Sequence, residues 1–248
     1  MDVRQMKDKE RPSGIRVRGL TVAYGERQVF DGFDIDFNPG EIGVVMGGSG
    51  VGKSTLLNAI AGLVPFSGEI EKPEGGISYI FQKDRLIPSI SVYKNLDLTL
   101  RAVFRDKAER KEMIADMLQK LHIGDKAEKL PTELSGGESL RVAMARAFLF
   151  PSEVLLMDEP FRALDIGLKF RLLDELGRLL TASPRTVVYV THDADECVLA
   201  ADRWFVLDGA PARVAAEGDI TLPRGERALD SSDIAAERAK IFSLLASE

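Results

Sequence analysis

Five short, unbroken apolar runs constrain this chain most: Ile42–Met46, Ile77–Phe81, Val154–Met157, Thr186–Val190 and Trp204–Leu207. Each is rich in Val, Ile, Leu or aromatic residues and too brief for an ordinary helix. Separated by stretches of helical periodicity, such runs predict strands buried on both faces of a parallel sheet. Two longer segments, Ile15–Val22 and Val29–Phe37, instead alternate apolar and polar residues around Gly25. That alternation predicts an antiparallel pair with one wet face, after which Pro39-Gly40 turns the chain into the first buried run.

Four of the buried runs lead into residues with phosphate or metal chemistry, and open α/β sheets place ligands at their strands' carboxyl ends. The first run leads into Gly47, Gly48, Ser49, Gly50, Val51, Gly52, Lys53, Ser54 and Thr55. Glycines let the backbone approach closely, and backbone N–H groups opening a helix complement phosphate oxygens. Lys53 is expected to reach the outer phosphates of a nucleoside triphosphate, and Ser54 to offer its hydroxyl to Mg²⁺. Asp158-Glu159 closes the third run; Asp158 is expected to hold Mg²⁺ and Glu159 to take a proton from, or orient, an attacking water. Adjacent carboxylates in that place can also merely cap a helix; the glycine loop favours catalysis. The remaining two runs deliver Gln82 and Thr191-His192.

Between Lys83 and Phe150 the pattern turns helical. Asp106 can cap a helix with an apolar stripe of Ile114, Met117, Leu118 and Leu121. Residues 13–82 and 151–248 are therefore expected to form an α/β core with a β layer, and 83–150 an inserted helical subdomain. Ser231–Glu248 reads as a final amphipathic helix with Ile234, Ile241 and Leu245 on one side.

Within the helical insertion stands Leu134-Ser135-Gly136-Gly137-Glu138. Its serine hydroxyl and glycine N–H groups can face an anion at a helix start, although a plain helix N-cap has the same composition. The spacing of this turn from the glycine loop and from Asp158, with the Leu140–Phe150 stretch after it, resembles the ATP-binding subunit of an ABC transporter. The resemblance covers nearly the whole chain and implies a P-loop NTPase (RecA-like) α/β core. It further implies that Ser135, Gly136, Gly137 and Glu138 grip the γ-phosphate of ATP held by a second protomer, so that ATP binding makes a homodimer. Tyr24 is implied to stack on adenine, and Gln82 to touch Mg²⁺ and the water. His192 is implied to contact the γ-phosphate, and Asp165 to lie on the loop that crosses between protomers. Glu138 stands where the family most often has Gln. A carboxylate there repels phosphate unless it faces away or pairs with a cation.

Transport through a separate transmembrane permease follows as the expected role, with Lys83–Leu96 at the permease contact. That segment is similar to the corresponding stretch of bacterial importers for nitrate, sulfonates, taurine and thiamine precursors. An extracytoplasmic solute-binding protein and a peripheral place on the cytoplasmic face of the membrane are implied with it. Stand-alone exporters and lipoprotein-release subunits share these motifs. Non-transport relatives carry long coiled coils or paired cassettes, which this chain lacks. A P-loop kinase leaves the Ser135 turn unexplained.

Composition sets bounds on this reading. A net charge of −6, from 33 basic and 39 acidic residues, gives no support for nucleic-acid binding. The lone Cys197 excludes an internal disulfide and suggests a packed apolar residue. His122 is expected to be solvated, and Met113 and Met117 to pack in a helix. The apolar runs fall far short of the roughly 20 residues of a spanning helix, and the start of the sequence shows no leader-like apolar core. The charged stretch Arg4–Arg18 is expected to be a solvated tail.

Overall fold

A computed structural model describes residues 14–162 and 164–246. Strands β1 (Ile15–Tyr24) and β2 (Arg27–Phe37) pair antiparallel, with Ile15 opposite Phe37. Their alternation puts Ile15, Val17, Leu20, Phe30, Phe33 and Ile35 into the core. Arg16 and Arg18 therefore belong to β1 rather than to a tail, and Arg18 pairs with Asp36 across the hairpin at 2.6 Å. The rest of the expected tail, residues 4–13, lies outside the described residues.

Strand β3 (Ile42–Gly47) is wholly buried and runs into helix α1 (Lys53–Ile60). Strand β4 (Ser67–Glu71) then joins the other side of β1, completing a three-stranded layer ordered β2-β1-β4. Strand β5 (Ile77–Ile80) opens the main sheet. Helices α2 (Val92–Leu100), α3 (Lys107–Lys120) and α4 (Gly136–Leu149) follow before the chain returns as β6 (Val154–Asp158). Helix α5 (Ile166–Ala182) leads to β7 (Thr186–Val190), α6 (Ala194–Ala200) to β8 (Arg203–Asp208), then β9 (Arg213–Asp219) and α7 (Ser232–Leu245). The six-stranded sheet is ordered β5-β6-β7-β3-β8-β9, parallel except for β9.

Two cores flank this sheet because successive strand residues point to opposite faces. Val44, Met46, Leu155 and Met157 face the cluster shared with α2 to α7. Val45, Leu156, Val188 and Val190 face α1 and the β1–β2 hairpin. The helices inserted after β5 thus pack into the same core as one face of the sheet. In α3, Asp106 caps by accepting from Ala108 N–H at 2.7 Å, Ile114 and Leu118 are buried, and Met113 and Met117 pack half-buried. Leu121 just beyond is buried, His122 is exposed, and Cys197 is buried in α6.

Two charged groups organise the helical insertion. Asp97 of α2 is buried and accepts from Arg101 and Arg110, each at 2.7 Å. Burial pushes its carboxyl upward, but those two guanidinium groups outweigh it and hold the group below its ordinary value. At the far end of α4, buried Arg185 donates to the Ala147, Phe148 and Phe150 carbonyls and to the Ser78 and Ser152 hydroxyls. Arg185 therefore closes the carboxyl end of α4 against the starts of β5, β6 and β7.

Candidate functional site

Because β6, β7 and β3 are neighbours, their carboxyl ends open on one cleft of about 780 Å³. The glycine loop forms its floor. Gly47 has φ 139°, and a β-carbon there would lie 2.3 Å from the Leu207 carbonyl oxygen. Gly52 has φ 120°, and its β-carbon would lie 2.7 Å from Val29. Only glycine satisfies both the dihedral and the space at these positions. Lys53 is buried, and its ammonium donates to the Gly47 and Gly48 carbonyls at 2.7 and 2.8 Å. This cation lies at the start of α1, a place where helix N–H groups favour an anion.

Gly47, Gly48, Ser49, Gly50, Gly52, Ser54 and Thr55 line the cleft. Val51, also expected to bind nucleotide, does not line it; its side chain packs toward the hairpin-side core. Tyr24, half exposed at the end of β1, and Gln82, exposed after β5, both reach the cleft.

Ser54 Oγ donates to Asp158 Oδ1 at 2.9 Å. Burial pushes the Asp158 carboxyl above its ordinary value, opposed by the Ser54 hydrogen bond and reinforced by the Glu159 charge. A hard dication beside Ser54 and Asp158 relieves that cost, and a carboxylate, a hydroxyl and phosphate oxygens suit Mg²⁺. No cluster of three or more acidic, His or Cys ligands occurs among the described residues.

Glu159 has φ 44°, a left-handed backbone uncommon outside glycine, fixed by its N–H donating to the Val190 carbonyl at 2.9 Å. That turn aims its carboxylate into the cleft. Oε2 lies 3.1 Å from Arg162 and 3.4 Å from His192 Nδ1. Behind His192, Lys169 of α5 reaches Asp193 at 2.5 Å and Glu196 at 2.8 Å. Thr191 donates to Glu196 at 2.6 Å and Tyr189 donates to the same carboxylate. This mostly buried network fastens the His192 loop to the start of α5.

The Ser135 turn and Asp165 lie outside the cleft. Ser135 is the N-cap of α4, and Asp165 the N-cap of α5, accepting from Leu168 N–H at 2.9 Å. A β-carbon at Gly137 would lie 2.7 Å from the tip of the Leu168 side chain, so α4 packs closely on α5 there and a larger residue would require Leu168 to shift. Glu138 neither faces away nor stands alone. Its Oε2 accepts from Ser135 N–H at 2.8 Å and Ser135 Oγ at 2.9 Å, and its Oε1 lies 3.3 Å from Lys126. The two Ser135 donors, and then Lys126, hold its carboxyl below the ordinary value.

Sequence reasoning missed Arg27, Arg162 and Leu245 at the cleft. Arg27 donates to the Gly50 carbonyl at 2.8 Å, Arg162 pairs with Glu159, and Leu245 lines the wall from the last turn of α7. Arg162 follows Glu159 by three residues and could have been found from that spacing. Leu245 carries no local signal.

Comparison with known proteins gives this geometry a family. The model of the ABC transporter family matches residues 30–162, from β2 through the glycine loop and the Ser135 turn to Arg162. An aliphatic sulfonates import ATP-binding protein of Nocardia farcinica is 41% identical over 94% of this chain and 91% of its own length. A nitrate transport protein of Klebsiella oxytoca is 37% identical over 88% of this chain and 90% of its own. A bacterial ABC transporter cassette solved as a dimer is 28% identical, with a TM-score of 0.73 over 83% of this chain and 98% of its own. The chain belongs to the ABC transporter family. It is an ATP-binding, ATP-hydrolysing transport subunit, and no helix among the described residues is long and apolar enough to cross a membrane.

Proposed function

We propose that this chain powers import of a small oxoanionic solute, of the sulfonate or nitrate kind, through a separate transmembrane permease. The observation that carries its chemistry is the meeting of the glycine loop, Asp158, Glu159 and His192 in one cleft, with Ser54 2.9 Å from Asp158 and Glu159 3.4 Å from His192. Similarity over most of the chain to sulfonate and nitrate transport proteins supports the solute class.

In this reading the loop N–H groups and Lys53 bind the phosphates of ATP, and Tyr24 stacks on the base. Ser54, Asp158 and Gln82 would hold Mg²⁺, which supplies neutralisation of phosphate charge when bound. Glu159 takes a proton from the water that attacks the γ-phosphorus, giving ADP and inorganic phosphate. His192, held by the Lys169 network, donates toward the γ-phosphate oxygens. Ser135, Gly136 and Gly137 close the site from a second copy of the chain, and Asp165 lies at the crossing between copies. ATP's preference for the closed pair drives the permease between its two forms. The permease rests on Lys83–Leu96, where Ile87 is 41% exposed. An extracytoplasmic solute-binding protein and a place on the cytoplasmic membrane face complete the proposed system.

The experiment is Glu159→Gln. ATP turnover should fall about 100-fold or more, within the range of a lost general base, while ATP binding persists and a dimer accumulates on sizing chromatography. Turnover near the unsubstituted rate would overturn the assignment of Glu159. Uptake of labelled sulfonate or nitrate by cells expressing the chain with its permease tests the solute class.

A further inference from the structure

Glu138 creates an electrostatic problem that the fold answers with one residue. Its carboxylate occupies the start of α4, within 2.9 Å of the Ser135 hydroxyl. A phosphate reaching that hydroxyl and the following N–H groups meets a like charge. Like charges at contact distance repel, and that repulsion offsets part of what the hydrogen bonds from the turn would contribute. Lys126, on the 3-10 turn Gly124–Lys126, lies 3.3 Å from Glu138 on the side away from Ser135's bonds to Oε2. Its ammonium also touches Asp125 at 2.8 Å, and its side chain is 29% exposed. Arg141, the other cation that feels Glu138, is committed to Glu175 through two bonds of 2.7 and 2.9 Å.

We infer that Lys126 is a positioning residue for the Ser135 turn: it neutralises Glu138, and through Glu138 orients the Ser135 hydroxyl, so that this turn accepts a terminal phosphate from a second protomer. When the phosphate arrives, the hydroxyl proton swings from Glu138 Oε2 to a phosphate oxygen. Glu138 keeps the Ser135 N–H and its share of the Lys126 ammonium, which Asp125 also holds, so its charge stays partly offset. With glutamine at 138 no such partner is needed. The inference rests on the reading that ATP is shared between two copies of the chain.

The test sets Lys126→Ala in two backgrounds, Glu138 and Glu138→Gln, each in the turnover-deficient Glu159→Gln chain. With Glu138 present, the ATP concentration for half-maximal dimerisation should rise about three- to fivefold, the cost of losing a partly exposed ion pair. Affinity of the monomer for a fluorescent ADP analogue should stay within about twofold, because the glycine loop is untouched. Lys126→Arg should restore dimerisation, and Lys126→Ala should change it less than about twofold in the Glu138→Gln background. Lys126→Gln replaces the alanine variant if that one fails to fold, as judged by thermal unfolding. Equal losses in both backgrounds would show a merely structural Lys126 and overturn the inference, as would no loss in either. If the parent Glu159→Gln chain forms no dimer with ATP, the shared-nucleotide reading itself fails and takes this one with it.

Discussion

At the scale of residues, this site is built from positions where one atom more or less decides the outcome. Gly47 sits against the Leu207 carbonyl across the β3–β8 pair, so Gly47→Ala cannot be relieved by a side-chain shift. We expect it to lower stability by about 1–3 kcal/mol or more and to abolish ATP binding, measurable as a lower thermal midpoint and a lost nucleotide titration. Much of this was legible: glycines before a lysine after a buried run leave few alternatives. The caps of α3 and the loop after β7 were readable for the same local reason. Arg27 and Leu245 were not, because their link to the cleft is made by tertiary packing and leaves no trace at fixed spacing. Lys126 belongs with them. The need for a cation near Glu138 was readable, but its identity lies twelve residues upstream in a turn with no pattern of its own.

Elements were legible in proportion to their burial. The interior strands announced themselves as apolar runs, and β3, β6 and β7 are buried almost throughout. The edge strands β4 and β9 escaped, since Ser67–Glu71 is mostly exposed and Arg213–Asp219 only half-buried on alternate residues. Helix α4 shows how one element serves two ends. Its capping box, Ser135 with Glu138, satisfies N–H groups that would otherwise be orphaned. Ser135→Ala should cost about 1 kcal/mol of stability by loss of the cap, yet nearly all ATP-driven dimerisation. Comparing the urea midpoint with the dimer yield separates those two effects. Glu138 contributes to that cap only while ionised. Its folded value lies below the unfolded one, so the contribution is present at neutral pH and fades as pH falls through the folded value.

Across the whole molecule, the helices inserted between β5 and β6 share a core with the sheet, and the Ser135 turn stands on them outside the cleft. In the proposed pair, nucleotide touches a surface on the sheet of one copy and the helical insertion of another. Without nucleotide the chain should elute as a monomer; with ATP and Glu159→Gln it should elute as a dimer. The sequence spoke to this only through resemblance, since a binding surface shared between copies has no intramolecular contact to enforce a pattern. Acid should weaken the helical insertion. Asp97 is held below its ordinary value by Arg101 and Arg110, so its contribution is complete above about pH 5 and lost on descent through its folded value. The thermal midpoint should fall over that descent, and Asp97→Asn should flatten the slope while lowering stability at neutral pH.

Arg185 will not follow Asp97. Its acceptors are three carbonyls and two hydroxyls, none of which gains a proton between neutral pH and pH 3. Hydrogen exchange at pH 4 should therefore find the amides of α2 and α3 opening while the rear of α4 stays protected. Lysine is a poor replacement, because its single ammonium cannot serve acceptors that two guanidinium nitrogens divide between them. The insertion is riveted to the sheet by a fastener indifferent to acid.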